Sequence, residues 1–322
     1  MCGIAGIISD CHYESIFHMT QAFLHRGPDE NGYYHGERIS LGQRRLSIID
    51  LNTGKQPIAN ESGSIFLICN GEIYNSPDLR KQLIESGHSF KTQTDIEVIL
   101  HLYEDYGKYC VKHLRGMFAF AIWDNDQHFL LLVSDHLGQK PLLFYTNGEN
   151  FVFASEPKGI LASKIIEPEI DINGLWHYTS LRYFPDYYSM FKGIRKLPAA
   201  SMLVYKNNKI SIEKYWELNF LKKLQLKEDD IIDELDALLF DTIKMHMLSD
   251  VQVGSFLSGG MDSSIITAMM ASITNQAFPT FSIGVEEQNF NVIPSRANAE
   301  LWTAFIDSSK SAQAGQSSWP AL

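Results

Sequence analysis

Short runs of β-branched and aromatic residues, repeated through the first half of the chain, constrain its fold more than any other feature. Asp, Asn and Gly separate these runs and favour turns, so the runs predict short strands. The strand-like runs are GIAGII, SIFLICN, MFAFAIWD, HFLLLVSD, LLFYTNG and FVFASE. Two other stretches, SPDLRKQLIESG and DIEVILHLYEDYG, predict helices that begin at Ser76 and Asp95. Many strands with few, clustered helices predict an α+β layered domain rather than alternating βαβ units.

The pattern changes after residue 206, where the first domain, residues 2–206, is expected to end. Two asparagines in YKNNKI predict a last hairpin, and we assign residues 207–227 to the end of this domain and a polar linker. Residues 228–296 then predict an amphipathic helix followed by strand, helix and strand, which is the beginning of a parallel α/β sheet. Residues 297–322 keep no apolar period, and we expect them to be poorly ordered.

Composition excludes several classes of function. A formal charge of −11 and a pI near 5.4 argue against nucleic acid or an anionic membrane as the main partner. The cysteines Cys2, Cys11, Cys69 and Cys110 show no C-x-x-C spacing, which predicts reduced thiols. With no signal peptide and no apolar run of membrane-spanning length, we expect a cytoplasmic protein. The histidines form no H-x-x-x-H pair, so the spacing predicts no metal cluster.

Cys2 stands directly behind the initiator methionine. Removal of Met1 would expose a thiol whose own α-amine is the base, which is one way to activate a nucleophile. The alternative is a small residue placed by chance ahead of a first strand, and position alone leaves both interpretations open.

Three other stretches of the sequence offer what hydrolysis of an amino-acid side-chain amide requires. Asn70 and Gly71, expected in a turn after SIFLIC, could donate to an oxyanion through a side-chain amide and an unhindered N–H. Arg45 matches a substrate carboxylate, and Asp95 matches its ammonium group. Taken singly, each has a simpler interpretation: an Asn-Gly turn, a surface charge and a helix cap.

A resemblance to a known family connects these positions. The segments that carry it are MCGIAG, HRGPDE, RRLSIID, NGEIYN, TQTDIEVIL, RGMFAFAIWD, DHLGQKPL and FASEPKGI. In this order they closely resemble the glutaminase domain, a class II glutamine amidotransferase domain, of glutamine-hydrolysing asparagine synthetases. The resemblance implies an N-terminal-nucleophile fold, a four-layer αββα sandwich, with Cys2 as nucleophile and Asn70 and Gly71 as oxyanion hole. It also implies that L-glutamine is bound by Arg45, Leu46, Ser47, Ile48, Ile49, Asn70, Gly71, Glu72 and Asp95.

A glycine-rich turn, SFLSGGMDSS, lies between the predicted strand and helix of the second domain. Its backbone N–H groups and hydroxyls suit a phosphate at a helix N-terminus, and Asp262 suits Mg²⁺. A plain Gly-Gly turn is the alternative, and the Walker pattern is absent. The phosphate-binding candidates are Ser258, Gly259, Gly260, Ser263 and Ser264. The turn resembles the pyrophosphate loop of ATP pyrophosphatases, which implies ATP as a substrate with Mg²⁺, no prosthetic group, and contacts of Leu257 and Ile283 with the adenosine part.

Together the two resemblances imply glutamine-dependent synthesis of asparagine: Cys2 releases ammonia, which amidates L-aspartate activated by ATP as β-aspartyl-AMP. The family's synthetase domain continues beyond FSIGVEEQNFNVIPSR with a second Ser-Gly loop that this sequence lacks. We therefore expect an incomplete α/β domain, and the synthetase step stays open. Two alternatives remain: another carboxylate acceptor, such as a sugar acid, or a stand-alone glutaminase or regulatory remnant. Homodimers are common in this family, so a homodimer is among the expected assembly states.

Overall fold

The computed structural model describes residues 1–10, 12–185, 187–221, 223–274 and 276–282. The chain divides into two units, Met1–Lys222 and Lys223–Leu322. The predictions for Ile283 and for the tail at 297–322 lie outside the described residues. None of the described helices is both long and apolar enough to cross a membrane.

Two six-stranded antiparallel sheets form the framework of the first unit. The first sheet consists of β1 (Gly3–Ile8), β2 (Glu30–His35), β3 (Ile39–Arg45), β8 (Leu143–Thr146), β9 (Phe151–Ala154) and β10 (Arg195–Lys196). The second consists of β4 (Ile58–Ala59), β5 (Ile65–Ile73), β6 (Gly116–Asp124), β7 (Phe129–Ser134), β11 (Ser201–Lys206) and β12 (Lys209–Lys214). Their strand orders are β10-β8-β9-β1-β3-β2 and β12-β11-β7-β6-β5-β4. Every strand-like run quoted above falls on one of these strands, so that prediction is confirmed.

Helices pack on both sheets. α1 (His12–Gln21) contacts β1 and β3, and α4 (Pro157–Ala162) contacts β9. On the second sheet α3 (Glu97–Tyr106), accompanied by α2 (Ser76–Glu85), contacts β5. Two further helical segments are a 3-10 helix at Gly107–His113 and α5 (Ile172–Leu181).

The two helices that the sequence predicts in the first domain are confirmed as α2 and α3, although α3 begins at Glu97 rather than at Asp95. The helices α1, α4 and α5 are not predicted. α1 shows why. It buries Ile16 and Met19 against the first sheet but exposes Tyr13 and Phe17, so its apolar residues do not form one clean stripe. Packing on the sheet, rather than local pattern, therefore decides that this segment is helical.

Side-chain alternation along the strands shows that both faces of each sheet are buried. In β6, Phe118 and Phe120 pack on the side of α3, while Ala119 and Trp123 pack on the side of the first sheet. A third apolar cluster lies between the first sheet and α1 and α4. Three apolar layers separate four layers of secondary structure, which confirms the predicted αββα arrangement.

The hairpin predicted at Asn207 and Asn208 is present. Both residues have positive φ, at 51° and 58°, as a two-residue type I′ turn requires, and β12 returns from it to pair with β11. The last strand of the first unit thus lies inside the range assigned to the end of the domain and the linker. The first domain therefore extends beyond residue 206 because β12 completes its second sheet.

The second unit contains α6 (Glu228–His246), β13 (Ser255–Phe256), α7 (Met261–Thr274) and β14 (Thr280–Phe281). β13 and β14 pair in parallel, with Ser255 opposite Thr280. The predicted strand–helix–strand unit with parallel strands is therefore confirmed over the described residues.

Candidate active site

The amino terminus is anchored at the start of β1. Arg26 Nε donates to the Cys2 carbonyl at 2.8 Å, and Arg26 Nη1 donates to Glu156 at the same distance. From Gly3 onward β1 is paired with β3. The Leu46 N–H donates to Cys2 Sγ at 3.5 Å, and Sγ lies 3.7 Å from the Leu46 carbonyl oxygen. The thiol therefore has a defined position against the loop that follows β3.

The surroundings of the Cys2 thiol favour its protonated form. Burial raises the pKa of the Cys2 thiol. The Leu46 N–H, the terminal amine, Arg45 and Lys140 each oppose this rise in pKa without cancelling it. Burial lowers the pKa of the terminal amine at Met1, against the opposing effect of Cys2. Removal of Met1 would place the α-amine of Cys2 itself beside this thiol, which is the arrangement that lets an amine act as general base.

Three of the predicted site residues face the space between the two sheets. Ile4 of β1 packs there, and Cys2 continues the same alternation. Ile68 of β5 also packs there, and Asn70 and Glu72 share its face. Since β1 and β5 are in contact, these side chains converge at one end of the inter-sheet layer.

Asn70 and Gly71 lie inside β5, so the expectation that they form a turn is wrong. Pairing of β5 with β6 continues to Ile73, and this ladder overrides the local preference of an Asn-Gly pair for turns. The Asn70 side chain is 1% exposed, and its Nδ2 has no hydrogen-bond partner among the described residues. A buried donor without a partner is rare and costs free energy, so this amide is poised to donate to a ligand.

The outer edge of β5 is uncovered over most of its length, because β4 is only two residues long. Two side chains accept hydrogen bonds from this edge instead. Gln56 Oε1 accepts from the Cys69 N–H at 2.6 Å. Asp95 Oδ2 accepts from the Ile73 N–H at 2.6 Å. Strand alternation directs the Gly71 N–H to the same edge, between these two bonded groups.

Gly71 also meets a steric requirement. A Cβ at this position would lie within 2.7 Å of Phe118 on the neighbouring strand and would overlap the Met117 carbonyl oxygen. Only glycine keeps β5 this close to β6 while leaving the edge beside Asn70 unobstructed.

Two carboxyl groups lie together beside this edge. Burial, with the charge of Glu72 acting in the same direction, raises the pKa of Asp95 to about 7 despite the N–H donated by Ile73. Burial also raises the pKa of Glu72, which Lys140 and the terminal amine oppose. Buried neighbouring carboxylates of this kind favour a bound cation such as an α-ammonium group.

Arg45 is deeply buried and already bonded. Its Nη1 donates to Glu30 at 2.8 Å. Its Nη2 donates to the carbonyls of Ile49 and Asp50, at 2.8 and 2.7 Å. The guanidinium therefore shapes the loop after β3, and a substrate carboxylate would have to share it with these acceptors.

The remaining predicted glutamine contacts lie in that loop, and all are partly exposed: Leu46, Ser47, Ile48 and Ile49. The Ser47 N–H donates to Asp29 Oδ2 at 2.9 Å, which ties the loop to the end of the preceding turn. Leu46 is hydrogen-bonded to the Cys2 thiol. The structure thus brings the loop to the nucleophile through Leu46.

Lys140 is a site residue that the sequence pattern does not reveal. It is 7% exposed, and its charge opposes the burial-induced rise in the pKa of both Cys2 and Glu72. Asp135 Oδ2 accepts from the N–H of Lys140 at 3.1 Å and of Phe118 at 3.2 Å, which fixes the lysine beside β6. The segment DHLGQKPL contributes to the family resemblance, but no local motif marks its lysine as functional.

The glycine-rich turn of the second unit links β13 to α7. Gly259 has a φ of 80°, a conformation that favours glycine. Ser258 Oγ and Ser263 Oγ are 3.0 Å apart, and Ser264 Oγ donates to the Gly260 carbonyl at 2.6 Å. These bonds hold the turn at the start of α7, where backbone N–H groups are available to an anion.

Asp262 lies in the first turn of α7 and is exposed. Leu257, at the end of the strand, accepts a hydrogen bond from Ser282. An exposed carboxylate beside a phosphate-binding turn has the oxygen chemistry that Mg²⁺ prefers. The turn therefore fits the predicted ATP contacts of this unit.

Comparison with known proteins decides the family. A family model described as glutamine amidotransferase domain matches residues 1–216. The chain belongs to the glutamine amidotransferase family. A second model, described as asparagine synthase, matches residues 234–305 of this amidotransferase.

Two Bacillus subtilis relatives are named glutamine-hydrolyzing asparagine synthetases. Glutamine-hydrolyzing asparagine synthetase 1 is 38% identical over 301 residues, which cover 91% of this amidotransferase and 47% of the relative. Glutamine-hydrolyzing asparagine synthetase 3 is 35% identical over 302 residues, covering 90% and 49%. The chain thus spans about half the length of these relatives.

The fold of the amidotransferase also matches a solved structure. Glutamine phosphoribosylpyrophosphate amidotransferase from Bacillus subtilis aligns with a TM-score of 0.51 at 18% identity, covering 93% of this chain and 70% of that one. This likeness concerns the fold alone, and it agrees with the N-terminal-nucleophile sandwich expected from the sequence.

Proposed function

We propose that this amidotransferase hydrolyses glutamine to glutamate and ammonia with Cys2 as nucleophile, after Met1 is removed. The observation that carries the proposal is the buried Asn70 Nδ2, which has no hydrogen-bond partner among the described residues and lies on the strand that contacts β1. Cys69 is next to Asn70 in the chain, and the pKa of its thiol is raised by burial and also by Asp95 and Cys2. Asp95 and Cys2 therefore both lie close enough to Cys69 to interact with it electrostatically. Nucleophile, oxyanion donor and ammonium-binding carboxylate therefore share one site.

The geometry supports a reaction in two stages. Cys2 Sγ attacks the side-chain carbonyl carbon of glutamine, and its proton passes to the freed α-amine. The Asn70 amide and the Gly71 N–H stabilise the oxyanion. Collapse of this intermediate breaks the C–N bond, and the ammonium formed from the α-amine protonates the leaving ammonia. Water then hydrolyses the thioester, which releases glutamate and restores the thiol.

The edge of β5 sets the length of the substrate. Alternate residues on one strand edge are about 6.6 to 6.8 Å apart. The Gly71 N–H and the Asp95 carboxylate at Ile73 are separated by about that distance along the edge. Glutamine spans a comparable distance between its amide oxygen and its α-ammonium, so both ends can be bound at once. Arg45 would then receive the α-carboxylate from the loop side.

The pH dependence of substrate binding is a direct test of Asp95. With a pKa of about 7, Asp95 loses its negative charge as pH falls below neutrality. We expect the KM for glutamine to rise as pH falls from 8 to 6, approaching about tenfold per unit at the acid end. Measurement of kcat and KM for glutamate release across this range checks the prediction.

Asp95→Asn is the matched variant for this test. It should raise KM at pH 8 and flatten the dependence of KM on pH. Unfolding does not explain the acid effect, because a carboxyl whose pKa is raised by folding stabilises the fold more as pH falls through 7. An unchanged KM profile in Asp95→Asn would contradict the assignment.

We further propose that the ammonia amidates aspartate activated by ATP, and the names of the relatives, glutamine-hydrolyzing asparagine synthetases, support this proposal. Phosphates would bind at Ser258, Gly259, Gly260, Ser263 and Ser264, with Mg²⁺ on Asp262. The Mg²⁺ would neutralise phosphate charge, while the α7 N-terminus orients the phosphates. We also propose a cytoplasmic location, which suits the free thiols of Cys2, Cys69 and Cys110.

Two assays separate the halves of this proposal. Glutamate release from glutamine without ATP tests the glutaminase, and we expect it to occur. AMP formation from ATP, Mg²⁺, aspartate and an ammonium salt bypasses Cys2 and tests the second unit. AMP and asparagine in equal amounts would extend the function to the complete reaction. Glutamate release without AMP would confine it to glutamine hydrolysis, and AMP with a different carboxylate would reassign the acceptor.

A further inference from the structure

A cluster of two histidines and two glutamates lies on the helical side of the second sheet, formed by residues outside the glutamine-binding set. Glu61 comes from the loop between β4 and β5, His88 from the connection between α2 and α3, and His101 and Glu104 from α3. One ligand atom from each of the four lies within 4.8 Å of the others. Because three segments supply them, no sequence spacing reveals the cluster.

The distances within the cluster match a small tetrahedral metal site. Glu104 Oε2 lies 2.9 Å from His101 Nδ1 and 3.6 Å from His88 Nδ1. Glu61 Oε2 lies 3.8 Å from His101 Nδ1. Ligands bound to Zn²⁺ at 2.0 to 2.1 Å in a tetrahedron are roughly 3.3 Å apart. These three separations differ from that value by about half an ångström or less, whereas the 4.8 Å limit for the whole cluster allows for a pair that must close by up to about 1.5 Å when a metal binds.

The opposite nitrogen of each imidazole faces a carboxylate. His88 Nε2 lies 3.0 Å from Asp105 Oδ1. His101 is 1% exposed, and its Nε2 faces Glu97 at 3.8 Å with no hydrogen bond among the described residues. A carboxylate behind the ring favours a proton on Nε2 and leaves the Nδ1 lone pair for a metal, as at many zinc sites.

The two glutamates are oriented in the same way. Glu104 Oε1 accepts from Asn60 Nδ2 at 2.9 Å, and Glu61 Oε1 accepts from the Ser89 N–H at 3.0 Å. In each case the second oxygen is the one directed to the histidines. Every ligand thus has an outer partner that fixes its direction.

We propose that Glu61, His88, His101 and Glu104 bind a divalent transition metal, of which Zn²⁺ is the best fit. Imidazole nitrogen favours Zn²⁺, Co²⁺ or Ni²⁺ over Mg²⁺ or Ca²⁺, and two carboxylates neutralise the ion. The metal would join the β4–β5 loop, the α2–α3 connection and α3. The proposal is independent of glutamine hydrolysis, since none of its residues belongs to that site.

The site would also stabilise the approach to Asp95. Glu97, behind His101, accepts from the N–H groups of Lys91 and Thr92 at 2.7 and 2.8 Å. These two residues begin the turn that leads to Asp95. A metal that orders α3 would therefore order this turn as well.

The test is Zn²⁺ titration of the untagged full-length chain carrying Cys2→Ala and Cys11→Ala, with a chromophoric chelator as competitor. We expect one Zn²⁺ per chain, and Co²⁺ in its place should give the intense visible bands of a tetrahedral ion. His88→Ala should weaken Zn²⁺ binding by about 10²-fold or more, since loss of an outer partner alone costs 10- to 100-fold. Glu61→Gln, a change at the surface, should weaken it without threatening the fold.

His18→Ala is the control, because His18 is exposed on α1 and belongs to no such cluster among the described residues. It should leave Zn²⁺ affinity unchanged. Zn²⁺ should raise the Tm of the parent chain and of His18→Ala but not that of His88→Ala. Absence of stoichiometric Zn²⁺ binding, or equal affinity in His88→Ala and the parent, would overturn the proposal and leave the cluster as a hydrogen-bonded network only.

Discussion

Cys2→Ala is expected to lower glutamate release by at least about 10³-fold, because the acyl-enzyme route requires the thiol. Among the described residues, the other two cysteines cannot substitute for it. Cys69 and Cys110 are buried, and burial raises the pKa of Cys110 to about 12 and that of Cys69 well above its usual range. Steady-state assays of glutamate release check the prediction, with Cys11→Ala as the thiol control that should retain parent activity.

A second variant tests the base separately from the nucleophile. Insertion of one alanine between Met1 and Cys2 keeps the thiol but moves the free α-amine to another residue. We expect this variant to lose activity, and intact-mass measurement of the parent should show the loss of Met1. Glutamate release by Cys2→Ala at the parent rate would refute the mechanism, whereas full activity of the insertion variant would refute only the role of the amine.

Asn70→Ala is expected to lower kcat for glutamate release by about 10² to 10³-fold while KM changes little. Loss of one oxyanion donor has this magnitude, and the donor acts on charge that develops only in the transition state. Steady-state kinetics of the variant and of Asn173→Ala, an exposed asparagine on α5, make the matched comparison. A rise in KM with unchanged kcat would instead place Asn70 in ground-state binding.

The free energy of unfolding tests the role of Asn70 independently of the kinetics. Asn70 Nδ2 has no hydrogen bond to lose among the described residues, whereas both amide atoms of Gln56 bond the backbone of Cys69. We expect Gln56→Ala to lower the free energy of unfolding by about 1 to 3 kcal/mol for the backbone groups it leaves unpaired. Asn70→Ala should cost less than Gln56→Ala in denaturant unfolding, so its loss of activity would not reflect a damaged fold.

The sequence predicts the strands of the first unit because their apolar content is dense and their turns are marked. It fails where a local preference competes with a distant partner. Asn70 and Gly71 favour a turn, yet they remain in β5 because they pair with β6, a strand more than forty residues further along the chain. α1 has a mixed pattern that only the face of the first sheet resolves.

The residues of the candidate site also divide into those that the sequence reveals and those that it does not. Cys2, Asn70, Gly71 and Asp95 could be singled out from residue chemistry, and their motifs carried the family resemblance. Lys140 could not, because a lysine gains its role here from burial near a thiol and a carboxyl group. Likewise the sequence predicts that Arg45 is free to bind a carboxylate, but in the folded chain its guanidinium already donates to Glu30, Ile49 and Asp50.

The uncovered edge of β5 bears on whether the protein aggregates through strand pairing. A long open sheet edge invites pairing with strands of other chains and hence aggregation. Here Gln56 and Asp95 accept from the N–H groups of Cys69 and Ile73, on either side of Gly71, so these two donors are not available to an incoming strand. Under the proposed function, the same two side chains serve both substrate selection and protection from misassociation.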